Sequence, residues 1–146
     1  MKLTIKRILF YLLSFTWGVI LSMIGLIMMI PFIITKRARI FHGRLYGVFP
    51  SKFGSGWGFE MGCFFFTSED CKDDDRLRAH ECGHGLQNII LGPFQIIIQV
   101  ASMIRFWYRE LHFYRKGKHP TTSYDSIWFE HWATDWGVRF VLSDIL

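Results

Sequence analysis

The sequence predicts an α+β chain: an N-terminal transmembrane helix followed by a small domain with a short β-sheet and three helices. Three observations carry this expectation. No charged residue occurs from Ile8 to Ile34, aromatic-rich segments flank a Pro/Gly/Ser turn at Pro50 to Gly56, and a helical pattern with capping residues runs from Arg76 to Leu91. The composition agrees. The 146 residues are 51% hydrophobic and 18% aromatic, with mean hydropathy +0.22. That is too apolar for an ordinary soluble domain and directs the chain to a bilayer.

A run of about 20 apolar residues already spans a bilayer core, so Ile8–Ile34 reads as one spanning helix with Pro31 near its exit. It is too long for a signal-peptide core and has no A-x-A-like cleavage site, so an uncleaved single-pass anchor is expected. Residues 1–36 are then tail and anchor, and residues 37–146 the folded domain, whose core excludes the N-terminal part. Lys2, Lys6 and Arg7 precede the run and Lys36, Arg37, Arg39 and Arg44 follow it, which favours a cytoplasmic domain. The net charge of +5 comes from basic residues flanking apolar segments. This suits lipid headgroups, and no nucleic-acid motif is present.

Leu45–Phe49 and Phe59–Thr67 read as strands of a hairpin or three-stranded sheet. Phe59–Thr67 either offers an edge to an extended substrate or simply packs beneath the following helix. The next helix is capped by an aspartate of Asp73–Asp75 and stopped by Gly92-Pro93. It carries His80-Glu81-Cys82-Gly83-His84. Residues four apart share a helix face, so both imidazoles can meet one metal ion while Glu81 reaches its bound water. Gln87 falls on the same face and either lines the cleft or packs in the core. Cys82 points away as a small helix residue, and three cysteines are too few for a disulfide scaffold, although a Cys63–Cys71 bridge stays open outside the cytosol.

Phe94–Ile104 is apolar but interrupted by Gln95, Gln99 and Ser102, and it runs into an aromatic and basic stretch ending at Arg115-Lys116. Residues 94–116 are expected at the membrane interface, as a shallow or re-entrant segment, with a core helix as the alternative. The last helix, capped by Ser123 or Asp125, places Glu130 46 positions after His84. An acidic residue on a separate helix is the third ligand that a two-histidine catalytic zinc site needs. Trp128, Trp132 and Trp136 form a packing or membrane-facing stripe, and His42, His112 and His119 read as surface or juxtamembrane residues.

His80-Glu81-x-x-His84 with the later Glu130 resembles the gluzincin metallopeptidases. More closely, His80 to Gln87 (H-E-x-G-H-x-x-Q), Leu91-Gly92-Pro93 and Phe129 to Thr134 resemble a group of small membrane-anchored proteins of unknown activity, over about Gly56 to Gly137. The resemblance implies a zincin-like domain on a membrane anchor, with Zn2+ held by His80, His84 and Glu130, Glu81 as general base, and a peptide or protein substrate. In many gluzincins an aspartate four residues after the distal glutamate supports a zinc-binding histidine. Here that position is Thr134, so Thr134, Asp135 or Asp125 are the candidates for that support. Tyr124, His131 and His119 are the candidates for stabilising an oxyanion. Two other readings stand beside this one: a site-two-type intramembrane protease, and a non-catalytic membrane-anchored interaction module with a structural zinc.

Overall fold

In the computed structural model, residues 5–117 and 126–142 are described. Helices α1 (Ile5–Thr16) and α2 (Val19–Ile34) come first, then strands β1 (Ala38–Phe41), β2 (Arg44–Phe49), β3 (Gly58–Met61) and β4 (Phe64–Ser68). Helices α3 (Asp75–Leu91), α4 (Gln95–Arg115) and α5 (Trp128–Trp136) follow, and α5 continues as a π-helical segment, Gly137–Leu142. The protein is α+β with a four-stranded mixed sheet in the order β1-β2-β4-β3.

β4 is the parallel partner of β2 and the antiparallel partner of β3, with Tyr46 opposite Phe65 and Phe59 opposite Phe66. All five of its residues are buried, as expected where both faces of a sheet are covered. Alternation along the strand divides its aromatics. Phe64 and Phe66 join Phe10, Met29 and Phe32 of the N-terminal helices, while Phe65 joins Phe41, Tyr46, Cys82 and Val141. The expected single strand Phe59–Thr67 is therefore a hairpin, broken at Gly62, whose φ of 72° suits a turn. β1 adds a fourth strand.

The uncharged N-terminal run is not one straight helix. It breaks after Thr16, and α1 and α2 meet at 98°. Asn88 Nδ2 donates to the Gly18 carbonyl (3.3 Å) and Trp17 Nε1 donates to the Ile90 carbonyl (3.2 Å), so the elbow is fastened to the end of α3. Nor does the run stand apart from the domain. Ser14, Gly18, Ser22 and Gly25 recur at three- and four-residue spacing and let neighbouring backbone approach: a Cβ on Gly25 would lie 2.3 Å from the Met61 carbonyl oxygen. Inward residues build the core, while Ile8, Leu12, Ile20, Ile27 and Ile30 remain exposed on the outer face.

α3 begins at Asp74, whose side chain accepts from the Arg76 and Leu77 amides (2.9 and 3.1 Å). It docks on the sheet through Arg44, which lies 3.9 Å over the Phe10 ring and donates to the Cys82 carbonyl at 2.6 Å. α3 stops at Leu91 with Gly92 as its C-cap, as expected, and a 3-10 turn at Gly92–Phe94 leads directly into α4. The stretch Asp75–Arg109 is long and apolar enough, by length and composition, to cross a membrane. Cys63, Cys71 and Cys82 are free thiols, so the Cys63–Cys71 bridge is absent.

Replacing Gly25 by Ala forces a methyl group into the Met61 backbone and should destabilise the fold by about 1–3 kcal/mol. Ile27→Ala, at an exposed position, should change stability by less than about 0.5 kcal/mol. Thermal unfolding of both variants in detergent checks this, and equal midpoints would refute the close packing of α2 on β3.

Candidate metal centre

The site is built by the crossing of α3 and α5. A Cβ on Gly83 would lie 1.9 Å from the Ala133 carbonyl oxygen, and one on Gly137 would lie 1.9 Å from the Ala79 carbonyl oxygen. At each point one helix can touch the other's backbone only because no side chain intervenes. This approach places Glu130 over the histidine face of α3. Glu130 Oε2 lies 3.2 Å from His80 Nε2 and 3.1 Å from His84 Nε2. These three residues form a group whose ligand atoms all lie within 4.8 Å of one another, a geometry that could hold a metal ion.

The surrounding hydrogen bonds decide which atoms face that point. Gln87 Nε2 donates to the Phe129 carbonyl at 2.7 Å, which orients the amide and turns Oε1 toward His84 Nδ1, 2.8 Å away. Oε1 can only accept, so Nδ1 carries a proton and Nε2 is the atom turned toward Glu130 Oε2. The Thr134 hydroxyl donates to the Glu130 carbonyl (3.2 Å) and therefore accepts from His80 Nδ1 at 2.8 Å, which turns His80 Nε2 toward the same oxygen. Ser102 donates to Glu130 Oε1, which leaves Oε2 as the inward atom. Three ligand atoms thus meet at one buried point. Burial pushes the His84 pKa down, but the bond to Glu130 and the carboxylates around it outweigh this and raise it to about 9. Burial pushes the Glu130 pKa up, but the bonds to His80 and His84 outweigh it and hold the carboxyl far below the usual range.

Two imidazole nitrogens and one carboxylate oxygen form a donor set suited to zinc and other borderline cations, whereas calcium or magnesium would call for oxygen ligands. The site opens into a cleft of about 1010 Å3. His80, Glu81, His84 and Glu130 line it on one side, and β3 and α4 border the other. Glu81 lies against β3, so that a Cβ on Gly58 would come within 2.8 Å of its Oε1. Behind it, Glu60 of β3 is buried and accepts from Gln99 of α4 at 2.6 Å, and burial pushes its pKa up to about 8.

His80, His84, Glu130, Glu81 and Thr134 come together as the sequence suggests. Of the two readings of Gln87 the packing one is found: it lies fully buried and bonds His84. Asp135 is turned outward into an ion pair with Arg139 at 2.8 Å, so it supports neither histidine. His131 is exposed and does not line the cleft, so it is no oxyanion donor. Tyr124, Asp125, Ser123 and His119 lie outside the described residues. Ser102, Glu60 and Gln99 were missed as site residues. The interruptions at Gln95, Gln99 and Ser102 were their signal, since positions i, i+4 and i+7 make one polar stripe on an apolar helix. Comparison with protein-family models, with curated proteins and with solved structures gave no match.

Gly83→Ala should push the helices apart and abolish metal retention. Thr134→Val and Gln87→Leu should each weaken metal affinity by about 10–100-fold while leaving all three ligands in place. Competition titration with a chromophoric chelator measures this, and unchanged affinity in both would contradict the assigned hydrogen-bond directions.

Proposed function

We propose that this chain is a membrane-bound zinc metallopeptidase of gluzincin type, with His80, His84 and Glu130 as the metal ligands and Glu81 as the general base. One observation carries the reading: the Nε2 atoms of two histidines one turn apart and a carboxylate oxygen from another helix converge on one buried point, in a geometry that could hold a metal ion. A bound zinc ion supplies Lewis acidity, acidifying water and polarising a carbonyl. The rest falls to the chain's own groups. Glu81 stands on the cleft side of the same helix and accepts the proton released at its carboxylate, then returns it to the leaving amine. Thr134, Gln87 and Ser102 keep the ligands from rotating.

A peptide substrate is supported by β3. Among the described residues it has a strand neighbour, β4, on one side only, and its residues Gly58 to Met61 border the cleft beside Glu81. An extended chain could pair with that edge and bring a peptide bond to the metal. Membrane residence is supported by the exposed apolar faces of α1, α2 and α4. The site-two-type alternative draws on the apolar stretch Asp75–Arg109, which contains the motif, but Glu130 enters from α5, outside that stretch.

Glu81→Gln separates an enzyme from a structural zinc module. An enzyme should retain about one zinc per chain and lose about 10²–10⁴-fold in turnover. Elemental analysis and release of fluorescent fragments from labelled, unfolded casein read the two properties. Parent protein that holds zinc yet cleaves nothing, or a variant as active as the parent, favours the interaction module.

A further inference from the structure

The cleft is not lined evenly. Its floor is polar, with His80, His84, Glu81, Glu130, Ser102 and the Glu60–Gln99 pair. Its rim is charged at the start of α3, where Asp74 and Arg76 are exposed, but apolar and exposed between α2 and α4: Ile24 of α2 is 40% accessible, and Val100 and Met103 of α4 are 44% and 55%. Outward from these residues the same helices continue as exposed apolar surface, through Ile20 and Ile27 on α2 and Ile97, Ile104 and Trp107 on α4. The rim thus belongs at once to the cleft and to the surface that faces lipid. The α2–α4 side of the rim therefore differs from the α3 end, where Asp74 and Arg76 are the exposed residues.

We propose that the substrate is an apolar polypeptide segment that reaches the cleft from within the bilayer, between α2 and α4, and pairs in extended form with β3. This deepens the peptidase reading and rests on it. Three features select this occupant over a lipid chain or a soluble peptide. The volume of about 1010 Å3 lies at the upper end of what small-molecule sites enclose, so it suits several residues of chain. The free side of β3 supplies backbone partners that an acyl chain cannot use, and that an unwound segment in hydrocarbon requires. The apolar rim lets such a segment enter without first crossing a polar surface. Glu60 and Gln99, bonded across the floor from β3 to α4, mark where the apolar passage ends and the reacting bond would lie.

The test is photocrosslinking with the full chain in phosphatidylcholine vesicles. The probe is a Leu/Ala peptide of about 20 residues with flanking lysines and a central diazirine amino acid. The controls are a Gly/Ser peptide of equal length and a phospholipid carrying a diazirine in its acyl chain. Expected is labelling of Ile24, Met61, Val100 and Met103 by the apolar peptide, at least about tenfold above the Gly/Ser peptide. Val100→Trp and Met103→Asp, at exposed rim positions, should each reduce that labelling severalfold, whereas Glu130→Ala should leave it in place because no hydrolysis is required. Equal labelling by the Gly/Ser peptide, labelling spread over the outer faces of α1 and α2 with none in the cleft, or displacement of the peptide by the phospholipid would overturn the proposal. Zinc content is measured on the same vesicles. Cleft labelling in a chain without zinc would uphold the occupant and sink the peptidase reading; zinc without cleft labelling would do the reverse.

Discussion

The contact on which the site depends is the crossing of α3 and α5, where backbone meets backbone at Gly83 against Ala133 and at Gly137 against Ala79. Every ligand distance follows from it. Glu130 is not reached by a long flexible side chain but is set over His80 and His84 by two helices in van der Waals contact. The residue inside the histidine motif that looks least chemical, Gly83, is therefore the one that lets the third ligand arrive. The same crossing brings Thr134 under His80 and the Phe129 carbonyl under Gln87, so ligand placement and ligand orientation come from one packing event.

Around this crossing the polar groups are arranged by direction as well as distance. Each histidine gives its Nδ1 proton to an oxygen whose own hydrogen-bonding partner is already fixed, and Glu130 commits one oxygen to Ser102. Such a network in a buried site fixes which three ligand atoms face inward, where they can share a proton or a metal ion. Ser102 of α4 bonds Glu130 and Glu60 of β3 bonds Gln99 of α4, so the apolar helix and the sheet edge both border the site. Site and apolar surface are parts of one structure.

Much of the site was legible because helical periodicity is strict: His80 and His84 share a face by spacing, and Asp74 announces the start of their helix. Thr134 was legible from its place one turn after Glu130. Gln87 and Asp135 stayed open because their side chains choose between neighbours that spacing does not reveal, the Phe129 carbonyl for one and Arg139 for the other. The N-terminal run was misread for a different reason. Hydropathy counts apolar residues but not their size, so Ser14, Gly18, Ser22 and Gly25 looked like ordinary members of a span. Their role is to admit Met61 and Asn88, and the elbow at Trp17-Gly18 gains its backbone partners from α3, which is remote in sequence.

The most direct test of the metal centre is zinc K-edge absorption spectroscopy on the full chain loaded with zinc. The account predicts a shell of nitrogen and oxygen at about 2.0–2.1 Å with multiple scattering from two imidazoles, reduced to a single imidazole in His84→Ala. A sulfur shell near about 2.3 Å, a spectrum without imidazole scattering, or a chain that retains no zinc would contradict it.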